Sequence, residues 1–243
     1  MLEKPRLQAL AAMDPPGWGR GLLVLGLLLL GEPALETVLA RALDLPLLFD
    51  HPRYLPKAIL VHGAHLVFVL SVLRYGAGMR FRPLFATWPT PRQALPWLLA
   101  AVAIGLPPFI AQFGSGHRLD SARFCVMAAF LIATYGALLP FMEELTYRVL
   151  AFSLFLRGGR LCAYLGSTGL FALSHFVPLE QNILQANAFV ITYHVTALLL
   201  FGFLSARALE VTRTWTTCLL MHSCVNLMPE MGLILGAAWR TFG

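Results

Sequence analysis

Apolar residues in this chain run continuously instead of alternating, and short stretches holding most of the charge separate the runs. The pattern predicts helices over Gly21 to Ala40, Ala58 to Leu73, Leu95 to Phe113, Phe124 to Leu156, Cys162 to Val177, Ala188 to Ala206 and Trp215 to Trp239. The period-2 alternation of a membrane barrel is missing. Within lipid each backbone polar group needs a partner inside its own segment or a closed barrel, which leaves helices. The expected fold class is all-α: a polytopic transmembrane bundle of about 7–8 helices around an intramembrane polar cavity. It reads as a single integral-membrane domain over 1–243, with 1–20 a polar amino-terminal segment and 122–240 the catalytic helices. Pro107 and Pro108 predict a kink in the third helix, and Pro178 ends the fifth. The long apolar segment from Phe124 is either one tilted helix or two broken near Pro140.

Composition agrees with the pattern. The chain is 58% hydrophobic, only 12% charged, and has a mean hydropathy of +0.71. Soluble domains carry about a quarter charged residues, so a soluble domain is excluded. The formal net charge of +6 does not point to nucleic acid, because the basic residues sit singly in short loops with no basic stripe among interleaved aromatics. They read as topology signals in a multi-pass protein, of the inner or plasma membrane if the source is bacterial.

Lys4, Arg6 and Arg20 precede the first apolar run as in a signal peptide, and Ala40-Arg-Ala42 resembles a cleavage triplet. That triplet lies too far past the apolar core, so the run reads as a first membrane helix. Arg74, Arg80, Arg82 and Arg92 form the strongest cytoplasmic marker, interleaved with Phe81, Phe85, Trp88 and Trp97 as in a segment lying along headgroups. With Phe124 to Leu156 as one span and a cytoplasmic amino terminus, the basic loops at 74–92, 157–160 and 207–213 all fall inside. The loop near Glu180 then falls outside.

Several polar residues inside the apolar runs need weighing. Cys125, Cys162, Cys218 and Cys224 form no C-x-x-C pair and read as small buried hydrophobes. His62 and His65 share a helix face, with an interior hydrogen-bonding role preferred over a metal or substrate role.

The costliest interruption is Glu143-Glu144-Leu-Thr-Tyr-Arg148. A carboxylate at mid-bilayer costs ~2.5–3.5 kcal/mol and needs partners or a wet cavity. On a helix Glu144 and Arg148 are four apart in the favourable order for an ion pair. Glu143 points about 100° away and does not share that partner, which suits a general base. Phe171-Ala-Leu-Ser-His175 then sets an aromatic ring and an imidazole one turn apart. His222-Ser-Cys-Val-Asn226 aims an imidazole and a carboxamide at one point, where they could hold an oxyanion. Each motif alone is weak, since a single buried histidine is usually an interior residue with satisfied hydrogen bonds. Three such sites in one small membrane chain are hard to explain structurally.

In that order on successive helices, E-E-x-x-x-R, F-x-x-x-H and H-x-x-x-N resemble the CAAX-prenyl-endopeptidase and bacteriocin-processing (CPBP) family, also called the Abi or Ras-converting-enzyme type. Its members are glutamic intramembrane proteases. The resemblance covers roughly Phe124 to Leu235 and includes Gly202 to Arg207 and Thr212-Arg-Thr-Trp215, similar to a glycine-containing helix end and the turn before the last motif. Val149 departs from the glycine often found after the motif arginine. The resemblance implies that Glu143, with His175, activates a water, while His222 and Asn226 stabilise the oxyanion. Glu144, Arg148 and Phe171 would support them. It implies no cofactor and a membrane-tethered protein or peptide as substrate, cut at a prenylated tail, a leader or a sorting tag. Zinc held by Glu and His is the less favoured alternative, because the compact H-E-x-x-H arrangement is missing. The competing functions are a non-catalytic membrane immunity or scaffold protein and a proton-coupled transporter. The transporter would carry a symmetry between halves that the chain lacks.

Overall fold

The computed structural model describes residues 17–42, 54–85, 88–115, 121–175 and 188–242, all of whose regular structure is helical. The helices are α1 (Trp18–Ala42), α2 (Tyr54–Ser71), α3 (Pro91–Ser115), α4 (Ser121–Ala133), α5 (Leu139–Glu144), α6 (Phe152–Phe155), α7 (Arg160–Ser174), α8 (Ala188–Thr212) and α9 (Trp215–Phe242). Most of the amino-terminal polar segment, Pro178 and the loop near Glu180 lie outside the described residues.

Among the described residues five segments are long and apolar enough to cross a membrane: Ile59–Gly76, Pro91–Gly114, Ala128–Gly158, Ile191–Thr212 and Trp215–Thr241. The chain is an integral, multi-pass helical membrane protein. Each of the seven apolar runs expected from the sequence forms helix among the described residues, the fifth as far as Ser174 with Phe176 and Val177 lying outside them, but two fall short of a full span on their own. In α1 only Trp18–Gly31 is apolar, because Glu32, Pro33 and Glu36 interrupt the second half. Helix α7 has 15 residues, about 22 Å at 1.5 Å per residue, less than the hydrocarbon core.

The long acidic segment does not break at Pro140. Helices α4, α5 and α6 form one helical run over 121–158, joined by π turns at Thr134–Leu138 and Leu145–Ala151. Pro140 follows directly on the first π turn, so the gap that its missing N–H makes in the ladder falls beside a turn that is already wider than an α one. This run is also the centre of the bundle: 44% of its spanning window is buried, against 17–39% for the other four. A core of Leu145, Val149, Leu150, Phe152 and Leu154 packs from it against α1, α2, α8 and α9. Leu22, Leu23, Ile59, Val67, Leu99, Ile110 and Leu199 point outward, as lipid-facing positions should.

Polar contacts fix which ends of the helices lie together. Arg20 Nε donates to the Gly76 carbonyl at 2.5 Å, and Trp215 Nε1 donates to the Leu84 carbonyl at 2.7 Å. Glu210 takes Arg160 at 2.7 Å, Arg207 at 2.6 Å and the Tyr164 hydroxyl at 2.5 Å. The segments 74–92, 157–160 and 207–213 therefore share one end of the bundle with the start of α1. The aromatic segment does not lie wholly along headgroups: Trp88 is exposed, but Phe81 and Trp97 pack against the core and Leu84 is buried. Helix α8 also continues to Thr212, five residues past Arg207, so no helix end follows Gly202.

Helix α3 stays helical through Pro96, Pro107 and Pro108 and packs along α9. At Gly232 and Gly236 the two backbones approach so closely that a Cβ would overlap the carbonyls of Phe109 and Phe113. This is the small-residue spacing by which membrane helices gain contact without a hydrophobic drive.

Candidate active site

Glu144 at the end of α5 and Arg148 in the π turn that follows both face the buried side of the run, and both side chains are 0% exposed. The Glu144 Oε2 to Arg148 Nε distance is 3.4 Å. Ser205 of α8 bridges them, accepting from Arg148 Nε at 2.9 Å and donating to Glu144 Oε2 at 3.2 Å. The other carboxylate oxygen, Oε1, lies 2.8 Å from His222 Nδ1. An ionised carboxylate only accepts, so Nδ1 carries the proton and donates. Arg148 has no hydrogen bond from its two terminal nitrogens among the described residues. Its guanidinium instead lies 4.9 Å from the centroid of the Phe171 ring, an attraction between cation and ring face that gains strength away from water.

Phe171 is 1% exposed and is the hub of the site. Its ring also meets those of His175 at 4.6 Å, Tyr147 at 5.5 Å, and His222 and Phe201 at 5.6 Å each. Helix α7 ends there with a tightened turn, in which the His175 N–H bonds the Ala172 carbonyl at 3.1 Å. The Phe171 carbonyl thus loses its backbone donor, and two side chains replace it. His175 Nδ1 lies 2.8 Å away and the Ser174 hydroxyl 2.8 Å away. A carbonyl only accepts, so His175 holds its proton on Nδ1 and presents the Nε2 lone pair.

Both imidazoles turn Nε2 toward Glu143. Its Oε2 is 3.7 Å from His175 Nε2 and 3.5 Å from His222 Nε2. These separations exceed a good direct hydrogen bond and suit a bridging water. Glu143, His175, His222 and Asn226 line one cavity of about 390 Å³. Asn226 is one turn after His222 on α9 and makes no hydrogen bond among the described residues, so its amide remains available.

One wall of this cavity is held by a proline effect. Pro108 has no N–H, so the Ile104 carbonyl lacks its helical donor. The Tyr193 hydroxyl of α8 fills that place at 3.1 Å. Ile104, Tyr193 and Ala197 line both the site and an adjoining apolar cavity of about 360 Å³ between α3 and α8.

The structure thus brings together Glu143, His175, His222 and Asn226 around one space, with Glu144, Arg148 and Phe171 behind them. Sequence reasoning missed Ser205, which looks like an ordinary serine in an apolar run. It also missed Tyr193, His194 and Glu230, which line the cavity outside the three motifs. The orphan carbonyl implied by Pro108 is a signal that could have found a donor such as Tyr193. Of the cysteines only Cys218 is buried; Cys125 is exposed and Cys162 and Cys224 are intermediate, because their helix faces turn outward. His65 is buried, its ring centroid is 6.4 Å from that of His62, and neither is among the residues that line the cavity. Among the described residues no group of three His, Cys, Asp or Glu has the arrangement of a metal site.

No curated protein and no solved structure matches the chain. Residues 125–228 match the family model described as Rce1-like, type II CAAX prenyl endopeptidase Rce1-like, and the three motifs all lie inside that match. The match agrees with the resemblance carried by Glu143-Glu144, His175 and His222 to Asn226: over residues 125–228 the chain is similar to the Rce1-like CAAX-type membrane proteases.

Proposed function

We propose that the chain is an intramembrane endopeptidase that hydrolyses a peptide bond of a membrane-tethered protein or peptide with water activated by Glu143 and His175. The observation that carries this reading is the convergence of Glu143 Oε2 on the two Nε2 atoms, at 3.7 and 3.5 Å, inside a cavity. A water between Glu143 and His175 donates one hydrogen to each acceptor and keeps a lone pair for the substrate carbonyl. As its oxygen bonds the carbonyl carbon, a proton passes to Glu143. The oxyanion takes hydrogen bonds from the Asn226 amide and from His222 Nε2, with His222 acting as an imidazolium whose counter-ion is Glu144. When the C–N bond breaks, the oxyanion closes to a carbonyl and the proton on Glu143 goes to the leaving amine, giving a carboxylic acid and an amine, with Glu143 returned to its carboxylate.

No cofactor enters this scheme. A strong chelator should leave turnover unchanged, and loss of activity restored by added zinc would reverse that part of the reading. The substrate is a prenylated tail, a leader peptide or a sorting tag, and the end that gathers the basic segments faces the cytoplasm.

The test compares membranes of producing cells with wild-type protein and with Glu143→Gln, by mass spectrometry of newly formed peptide ends. Ends that vanish in the variant identify the substrate. A variant that inserts normally and produces the same ends would refute the mechanism.

A further inference from the structure

The cavity holds one carboxylate for which the scheme above has no use. Glu230 lies on α9 four residues after Asn226 and eight after His222, so the three occupy successive turns of one helix face. It is half-buried, lines the same cavity, and makes no hydrogen bond or ion pair among the described residues. An ionisable group in that position is costly in a membrane and marks a ligand or ion path. It also lies beyond the family match, which stops at residue 228.

The surroundings favour a cation. Pro229 has no N–H, so the Val225 carbonyl four residues back loses its helical donor, and Val225 also lines the cavity. Glu143 and Glu230 are the carboxylates on the cavity wall, joined there by His175, His194 and His222. No lysine or arginine lines it among the described residues. The wall is thus rich in acceptors and lacks a fixed counter-charge. Ile104, Pro108 and Leu139 supply apolar surface beside it, along which a long aliphatic stem can lie.

We propose that Glu230 is a specificity-determining residue that receives the ammonium or guanidinium of a lysine or arginine flanking the scissile bond. This rests on the peptidase reading for the word scissile, though the binding it describes does not need turnover. Glu230 is about 6 Å beyond Asn226 along the helix axis. An extended peptide advances about 3.3 Å per residue, which places the basic residue about two positions from the cut.

The test uses the full chain in detergent, carrying Glu143→Gln to stop turnover, and N-palmitoylated peptides that differ at one position: lysine, the isosteric norleucine, or glutamate. Fluorescence titration should show the lysyl peptide binding about tenfold more tightly than the norleucyl one, the scale of one charge-assisted hydrogen bond. Adding Glu230→Gln should erase that difference, and Glu230→Lys should transfer the preference to the glutamyl peptide. Thermal melting of the same proteins separates loss of binding from loss of fold. Equal binding of the lysyl and norleucyl peptides, binding of neither, or a lysine preference that survives Glu230→Gln overturns the proposal. If lysine preference appears but wild-type cleavage does not depend on Glu143, the peptidase mechanism fails and the cation site stands.

Discussion

His222 donates to Glu144 across 2.8 Å, a bond that spans 78 positions of sequence and holds α9 against the acidic run. The two glutamates are neighbours in the chain and divide the work between them. Glu144 is sealed among Arg148, Ser205 and His222, while Glu143 reaches the cavity, so a structural charge and a proton acceptor lie side by side.

The buried group should therefore respond to mutation unlike the cavity group. Glu144→Ala leaves Arg148 buried without its carboxylate, and breaking such a pair costs ~3–5 kcal/mol. We expect a large drop in melting temperature together with lost activity. Glu143→Gln should lose activity at an almost unchanged melting temperature. Equal thermal effects from the two would show that the division of roles is wrong.

Phe171→Ala removes a ring that touches Arg148, His175 and His222 together. Deleting a buried phenylalanine costs ~3–5 kcal/mol. Phe171→Leu should keep most of the stability, because it fills much of the volume. Its turnover should still fall, since a leucine offers Arg148 no ring face and lets both imidazoles rotate. The pair of variants, compared by melting and by rate, separates packing from positioning.

Tyr193→Phe strands the Ile104 carbonyl, and an unmade buried hydrogen bond costs ~1–3 kcal/mol. Pro108→Ala restores a backbone N–H to that carbonyl. The double variant should recover part of what Tyr193→Phe loses, and a double-mutant cycle in a reversible unfolding assay measures it. Strictly additive losses would mean that Tyr193 holds the α3–α8 seam in some other way.

Gly232→Ala should force α3 and α9 apart, because the added methyl would meet the Phe109 backbone carbonyl and not a side chain that can turn away. We expect destabilisation of ~1–3 kcal/mol, the usual range for overpacking. Gly169→Ala, at a helical glycine with open space around it, is the control and should not destabilise.

The fold was legible because lipid leaves the backbone few choices, so seven apolar runs predicted seven helical stretches. The motif residues were legible for a related reason: Glu143, His175 and His222 are expensive inside apolar runs and stand out by type. What could not be read was anything set by contacts between runs. Ser205 is an unremarkable residue until Arg148 is packed on it, and Glu230 is one more acid in the last predicted helix until the packing of α9 sets it on the cavity wall. Burial of the cysteines was misjudged because an apolar neighbourhood does not say which face of a helix meets lipid.

The two π turns on either side of Glu143 and Glu144 carry a consequence for how this site can be lost. Each turn holds more residues than an α-helical one, so the aim of the glutamates toward His175 and His222 depends on the number of residues between fixed points as well as on their identity. A deletion within Leu145–Ala151 can be absorbed by closing the wide turn to an α one, whereas deleting Phe141 from the α-helical Leu139–Glu144 would swing the two sides of the deletion by about 100° relative to each other. Glutamate, arginine and histidine would all still be present in their order, and the chain would be silent chemistry in an intact bundle.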